Sequence, residues 1–295
     1  MPDIALIELK RRLREQAPAE DITIEALRAG LEGAASRTRI DPQIELRRIE
    51  LGGIPAGSVR PQNAADRAAT LYFHGGGFVA GSSKSHGPLA ASIASETGMQ
   101  AFVPDYRLAP EHVWPAAEDD AFAAYRGVLD LGISPSNLAV VGDSAGANLV
   151  VTTLLRAKAH GIDQPRVCAL MSPWIDLDLQ GGSIERRAHV DPTLRRDRLE
   201  RYAAVYRGRH RGTEILRSDL SGLPPVLIQA GGDEILCDDS VRLADALSAA
   251  GVRARLEIWP GLFHVWQAYA PWLQEGRAAI AELGEFLRNE MKDVI

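Results

Sequence analysis

One stretch constrains the fold of this chain more than any other: Val140-Val141-Gly142-Asp143-Ser144-Ala145-Gly146-Ala147-Asn148. An apolar run from Leu138 to Val141 leads into it, and a run of helix formers from Ala147 to Ala159 leads away. The order is strand, sharp turn, helix, with a serine at the tip, and the pattern is G-x-S-x-G. So tight a turn predicts a positive φ at Ser144, which is costly for a residue with a Cβ. Side chains two positions to either side would strike the neighbouring strand and helix, which accounts for Gly142 and Gly146. The serine hydroxyl is thereby pushed into the open beside a helix N-terminus, whose free N–H groups and partial positive charge suit a developing negative charge. A glycine-rich strand-to-helix turn can equally hold a phosphate, so the rest of the chain must decide.

Composition narrows the field. The 295 residues are 46% hydrophobic and 24% charged, which is globular composition with ample material for a buried core. A formal charge of −6 argues against nucleic acid or an anionic membrane as a general partner. The first ten residues have neither a basic region nor a long apolar one, so they do not read as a signal peptide, and no stretch approaches a membrane span. Two cysteines, Cys168 and Cys237, make no disulfide framework and show no metal spacing. The expectation is a cytoplasmic protein without metal or cofactor, without nucleic acid and without stable membrane association.

Taken in order, residues 1 to about 40 read as amphipathic helix, with Ile4, Leu6, Leu9 and Leu13 at helical spacing and a second helix starting near Asp21 or Thr23. Strands are expected at Ile44–Leu51, Ala56–Pro61, Ala69–Phe73, Ala101–Pro104, Leu138–Val141, Arg166–Ser172, Pro225–Ala230 and Arg253–Trp259. Helices are expected at Ala116–Asp130, Asp239–Ala250 and from Gln274 to about Met291. Strands alternating with helices imply an α/β fold with a mostly parallel sheet flanked by helices. Between Asp176 and Gly222 the alternation breaks into a long arginine-rich excursion of the kind that forms a lid. Its Tyr202 and Tyr206 stand at i,i+4, which puts both on the inward face of a solvated helix. The last strand, if an exposed edge, would allow a homodimer.

The third strand ends in His74-Gly75-Gly76-Gly77-Phe78. Gly76 and Gly81 stand at P-loop spacing, but Ser82 occupies the required lysine position, so the phosphate reading fails. In an α/β-hydrolase the HGGG-type turn after this strand lends backbone N–H groups to an oxyanion hole. On that pattern Gly76 and Gly77, with the amide of Ala145, are the donors, and His74 braces the loop. A serine needs a base, and the base an orienting acid, in the chain order Ser, acid, His. Catalytic groups lie just past the carboxyl ends of strands. Asp233 follows one late strand and His264 the next. His86, His112, His160, His189 and His210 lie in poor positions for a base. Asp233 is preferred as the acid over Glu234, Asp238 and Asp239, which read as residues of a helix N-terminus.

Four ordered motifs, His74-Gly75-Gly76-Gly77, Asp105-Tyr106-Arg107-Leu108-Ala109-Pro110-Glu111-His112, Gly142-Asp143-Ser144-Ala145-Gly146 and the Asp233/His264 endings, together resemble the bacterial hormone-sensitive-lipase-like esterases. The resemblance runs from about residue 45 to the end. It implies a carboxylesterase acting on short- to medium-chain esters through a Ser144–His264–Asp233 triad and an acyl-enzyme. It also implies an α/β-hydrolase catalytic domain at 44–175 and 223–295, capped by an N-terminal segment at 1–43 and an insertion at 176–222. The acid motif departs from the family's common Asp-Pro-Leu form, reading Asp233-Glu234-Ile235-Leu236-Cys237-Asp238. Phe78, Trp174 and Phe263 are expected to shape an apolar substrate pocket. The stretch Tyr106–His112 reads as structural support, with Arg107 and Glu111 able to form an internal ion pair. Lactone or amide hydrolysis on the same triad, or ligand binding without catalysis, are the rival readings.

Overall fold

A computed structural model describes residues 4–17 and 22–294. Two helices, α1 (Ile4–Glu15) and α2 (Ile24–Ser36), form an N-terminal arm. The side chain of Thr23 caps α2 by accepting a hydrogen bond from the Ala26 amide, which selects Thr23 as the start; the alternative at Asp21 lies outside the described residues. The chain then enters β1 (Ile44–Leu51), β2 (Ile54–Pro61), β3 (Ala65–Phe73), α3 (Gly87–Thr97), β4 (Met99–Pro104), α4 (Ala116–Asp130), β5 (Leu138–Asp143), α5 (Ala145–Ala159) and β6 (Val167–Met171). After the long excursion, with α6 (Ser183–Arg186) and α7 (Arg196–Arg207), come β7 (Val226–Gly231), α8 (Cys237–Ala249), β8 (Ala254–Trp259) and α9 (Gln274–Glu290).

The strands form one sheet in the order β1-β2-β4-β3-β5-β6-β7-β8. β1 and β2 pair antiparallel, as do β2 and β4, and every later pairing is parallel. The mostly parallel α/β sheet expected from the alternation is therefore present. Its central strands explain their own composition: every residue of β5, β6 and β7 is buried, so no polar face is needed. α3 packs on α9, and α4 on α5. Among the described residues β8 pairs only with β7, and Ile258 is exposed at the edge.

α3 is an element the sequence reading missed. Pro88 stands in its first turn, and Gly98, in the left-handed region at φ 67°, ends it. Seven of its eleven residues are buried, and its outer stripe is narrow, made of Pro88, Ser92, Ser95 and Glu96 at i, i+4, i+7 and i+8.

Topology places the site. The chain leaves β3 toward β4 on one side, then crosses back to β5 on the other. Beside this switch point the carboxyl ends of parallel strands leave a crevice. The loops after β3, β5, β7 and β8 all open there, carrying His74–Phe78, Ser144, Asp233–Glu234 and His264.

Candidate active site

Ser144 sits between β5 and α5 with φ 51° and ψ −119°, the strained turn that the glycine spacing predicts. A Cβ on Gly142 would lie 2.6 Å from the Gly146 carbonyl oxygen, and one on Gly146 would lie 2.0 Å from that of Phe73. The strain is held from the neighbouring strand. The Ser144 amide donates to the Met171 carbonyl at 2.9 Å, and the Trp174 amide donates to the Ser144 carbonyl at 3.1 Å.

The serine hydroxyl meets His264 Nε2 at 2.9 Å. On the far side of the ring, Nδ1 meets Glu234 Oε2 at 2.7 Å, and Glu234 Oε1 accepts the Gly231 amide at 2.9 Å. Glu234 is fully buried. A buried carboxylate held this way is satisfied by a backbone donor and by the imidazole, which must carry its proton on Nδ1 and present a lone pair at Nε2. The His264 loop is braced against its neighbours: the Val265 amide donates to Ser172 Oγ at 3.0 Å, and the Asp233 amide to the Leu262 carbonyl at 2.9 Å. Val265 itself lies at φ 51°, an outlier for a β-branched residue beside the reacting centre.

Burial alone would lower the His264 pKa. The hydrogen bond and charge of Glu234, with the charges of Asp191 and Asp143, outweigh it and leave the pKa raised. Burial pushes His74 and His86 down to about 4, so both are neutral near pH 7. His74 Nδ1 donates to the Gly75 carbonyl at 2.8 Å, and its ring stacks on Tyr106 at 4.2 Å, so it braces the glycine loop as expected. Asp143, next to the serine, accepts from Tyr72 Oη and from the Gly75 amide, tying that loop to the elbow.

In the glycine loop, Gly76 and Gly77 lie at φ 114° and 65°. The amides of Gly76, Gly77 and Ala145 have no hydrogen-bond acceptor among the described residues. Tyr202 covers the loop: a Cβ on Gly77 would fall 2.6 Å from Tyr202 Cδ2. Tyr206, one turn on, stacks on Phe78 at 3.8 Å, and both tyrosines are buried, on the inward face that their spacing predicts. Phe78 also lies 5.9 Å from Trp174. Phe263 is buried elsewhere, in a cluster with Leu6, Leu262 and Trp266 beneath the arm.

The model of the family described as alpha/beta hydrolase fold matches residues 70–268. An esterase from the bacterial hormone-sensitive lipase family superposes with a TM-score of 0.95 at 39% identity, covering 99% of each chain. This chain belongs to the bacterial hormone-sensitive-lipase family of α/β-hydrolase esterases. It is also similar to an acetyl-hydrolase of Streptomyces hygroscopicus, 40% identical over 82% of each chain. An esterase of Acinetobacter venetianus is 34% identical over 83% of this chain and 82% of its own.

Within this hormone-sensitive-lipase family member the expected acid is corrected. Asp233 does not face His264. It turns toward the arm, where Lys10 Nζ lies 2.5 Å from Oδ2 and also donates to the Gly261 carbonyl at 3.1 Å. Glu234, read as a helix-start residue, precedes α8 and fills the acid's place. The turn after β7 has the same backbone to offer either side chain, and adjacent side chains diverge, so only one of the two can point at the ring. Glutamate has the extra methylene needed to reach Nδ1 from its position. The missing proline after Asp233 was the available signal, since it marks this turn as differing from the Asp-Pro-Leu form. Asp238 and Asp239 do lie in the first turn of α8, as expected.

The Tyr106–His112 stretch is corrected as well. Arg107 pairs with the buried Asp120 at 2.7 Å rather than with Glu111. Glu111 instead takes Arg28 of α2 at 2.7 Å, and Arg28 also donates to the carbonyls of Val79 and Ala109. The arm is thus clamped onto the backbone of the glycine loop's far end.

Proposed function

We propose that this esterase is a serine carboxylesterase acting on short-acyl esters through Ser144, His264 and Glu234. The observation that supports this is the unbroken hydrogen-bonded line from Ser144 Oγ through both imidazole nitrogens to the Glu234 carboxylate. His264 Nε2 takes the Ser144 proton as Oγ attacks the ester carbonyl. The tetrahedral oxyanion is received by the amides of Gly76, Gly77 and Ala145, which have no other acceptor among the described residues. Glu234 holds the imidazole tautomer and stabilises the imidazolium that forms. His264 then protonates the leaving alcohol, and a water activated by the same nitrogen releases the acid from the acyl-serine.

The short-acyl preference is supported by the aromatic packing around the glycine loop. Phe78 stacks on Tyr206 and lies tilted 5.9 Å from Trp174, all three are buried, and Tyr202 presses on Gly77, so large aromatic side chains crowd the glycine loop. The Streptomyces relative is named an acetyl-hydrolase. Initial rates on p-nitrophenyl esters from acetyl to dodecanoyl test the reading. Acetate and butyrate should be cleaved fastest, and Ser144→Ala should abolish turnover without altering the circular dichroism spectrum. Fastest cleavage of decanoate removes the acyl preference, and turnover surviving in Ser144→Ala removes the whole assignment.

A further inference from the structure

The turn that carries Glu234 is gripped from the long excursion between β6 and β7. Asp191 is 8% exposed, and its Oδ2 accepts the amide of Ile235, the residue after Glu234, at 2.9 Å. Its Oδ1 accepts the Thr193 amide and hydroxyl at 2.8 Å each and the Leu194 amide at 2.9 Å, so the carboxylate is itself locked. Ser183, in α6 and fully buried, holds the other side: its Oγ donates to the Ile235 carbonyl at 2.6 Å and accepts the Asp238 amide at 2.9 Å. Both polar groups of the Ile235 backbone are therefore held by the excursion.

We propose that Asp191 and Ser183 are positioning residues for the reaction, aiming Glu234 at His264 through the peptide that follows it. This rests on the triad reading above. The Ile235 N–H lies in the same peptide plane as the Glu234 carbonyl. Holding that N–H sets the plane, and with it the direction in which the Glu234 side chain leaves the backbone. Without Asp191 a buried amide would be orphaned, and the turn would rotate to find an acceptor. The segment that covers the substrate thus also completes the catalytic geometry, so displacing it disturbs the acid as well as the pocket.

The charges acting on His264 come from several elements. Glu234 reaches it from the turn after β7, Asp143 from the elbow and Asp191 from the excursion. On the arm side, Lys10 is paired with Asp233. Of these, Asp191 also grips the peptide that joins Glu234 to Ile235.

The test compares Asp191→Ser, Ser183→Ala and Glu234→Gln with the unaltered protein. Turnover of p-nitrophenyl acetate is measured from pH 5 to 9, per site titrated with a fluorophosphonate. Serine at 191 can keep the local turn at Thr193. Asp191→Ser should lower kcat on the order of 10- to 100-fold with KM little changed, the effect of a small misplacement at the reacting centre. Its acidic limb in kcat/KM should also move to lower pH, because a negative charge near the imidazole is gone. Ser183→Ala should lower kcat without moving that limb. Equal per-site kcat and an unmoved limb in Asp191→Ser overturn the proposal. If Asp191→Ser does not fold, an unchanged per-site kcat in Ser183→Ala overturns it. A Glu234→Gln protein with full kcat would instead locate the error in the triad itself.

Discussion

Replacing Glu234 by glutamine, beside a parallel change of Asp233 to asparagine, separates two adjacent carboxylates by what they do. In Glu234→Gln the amide oxygen can keep the 2.9 Å bond from the Gly231 amide. That leaves the NH2 group facing His264 Nδ1, where the carboxylate now accepts at 2.7 Å. Nδ1 must then accept, the ring proton moves to Nε2, and the lone pair that takes the Ser144 proton is lost. An acid-to-amide change of this kind in a serine protease triad costs about 10⁴-fold in kcat. At ~1.36 kcal/mol per decade this is about 5 kcal/mol of barrier. Asp233→Asn removes only the ion pair to Lys10, whose side chains are 22% and 13% exposed. That pair seats the arm and touches neither Ser144 nor His264, so kcat should stay close to that of the parent. The assay is steady-state hydrolysis of p-nitrophenyl butyrate per titrated serine, with thermal melts to show that both proteins fold. A Glu234→Gln protein within tenfold of the parent, or an Asp233→Asn protein that falls further than Glu234→Gln, would refute the reasoning.

The raised His264 pKa sets a pH dependence. The base must be neutral, so kcat/KM should fall as pH drops through a midpoint above the ordinary imidazole value of about 6.5. Stability runs the other way, because the fold favours the protonated ring. That contribution is complete below about 6.5 and is lost as the pH rises through the folded value. A kinetic midpoint below 6 contradicts the dominance of the carboxylates over burial. Gly77→Ala would place a Cβ 2.6 Å from Tyr202 Cδ2 at φ 65° and should turn the amide away from the oxyanion. The expected loss is on the order of 10²- to 10³-fold in kcat, read in the same assay, and an unchanged kcat removes Gly77 from the oxyanion hole.

Much of this molecule is legible without coordinates because its constraints are local or periodic. The elbow is written in Gly142 and Gly146, whose missing side chains the strand–helix contact requires. β5 and β7 announce themselves as apolar runs because both of their faces are buried. Ser144 and His264 follow from chain order and strand ends, which topology alone dictates. α3 escaped because its outer stripe, Ser92, Ser95 and Glu96, is narrow and carries a single charge among small residues. The Arg107–Glu111 pairing failed for a different reason. Proximity in sequence made it attractive, but Asp120 and Arg28 approach from α4 and α2 and take those partners.

The chain's order of residues determined that a serine would stand on a strained turn, that a glycine-rich loop would follow the third strand, and that a histidine would follow the last strand. It left open which of two neighbouring acids would meet the imidazole. That choice belongs to the tertiary structure. Lys10 draws Asp233 outward, while Asp191 and Ser183 hold the next peptide so that Glu234 turns in. A side chain's direction from a loop depends on what grips its backbone, and here the grips come from residues more than forty positions away.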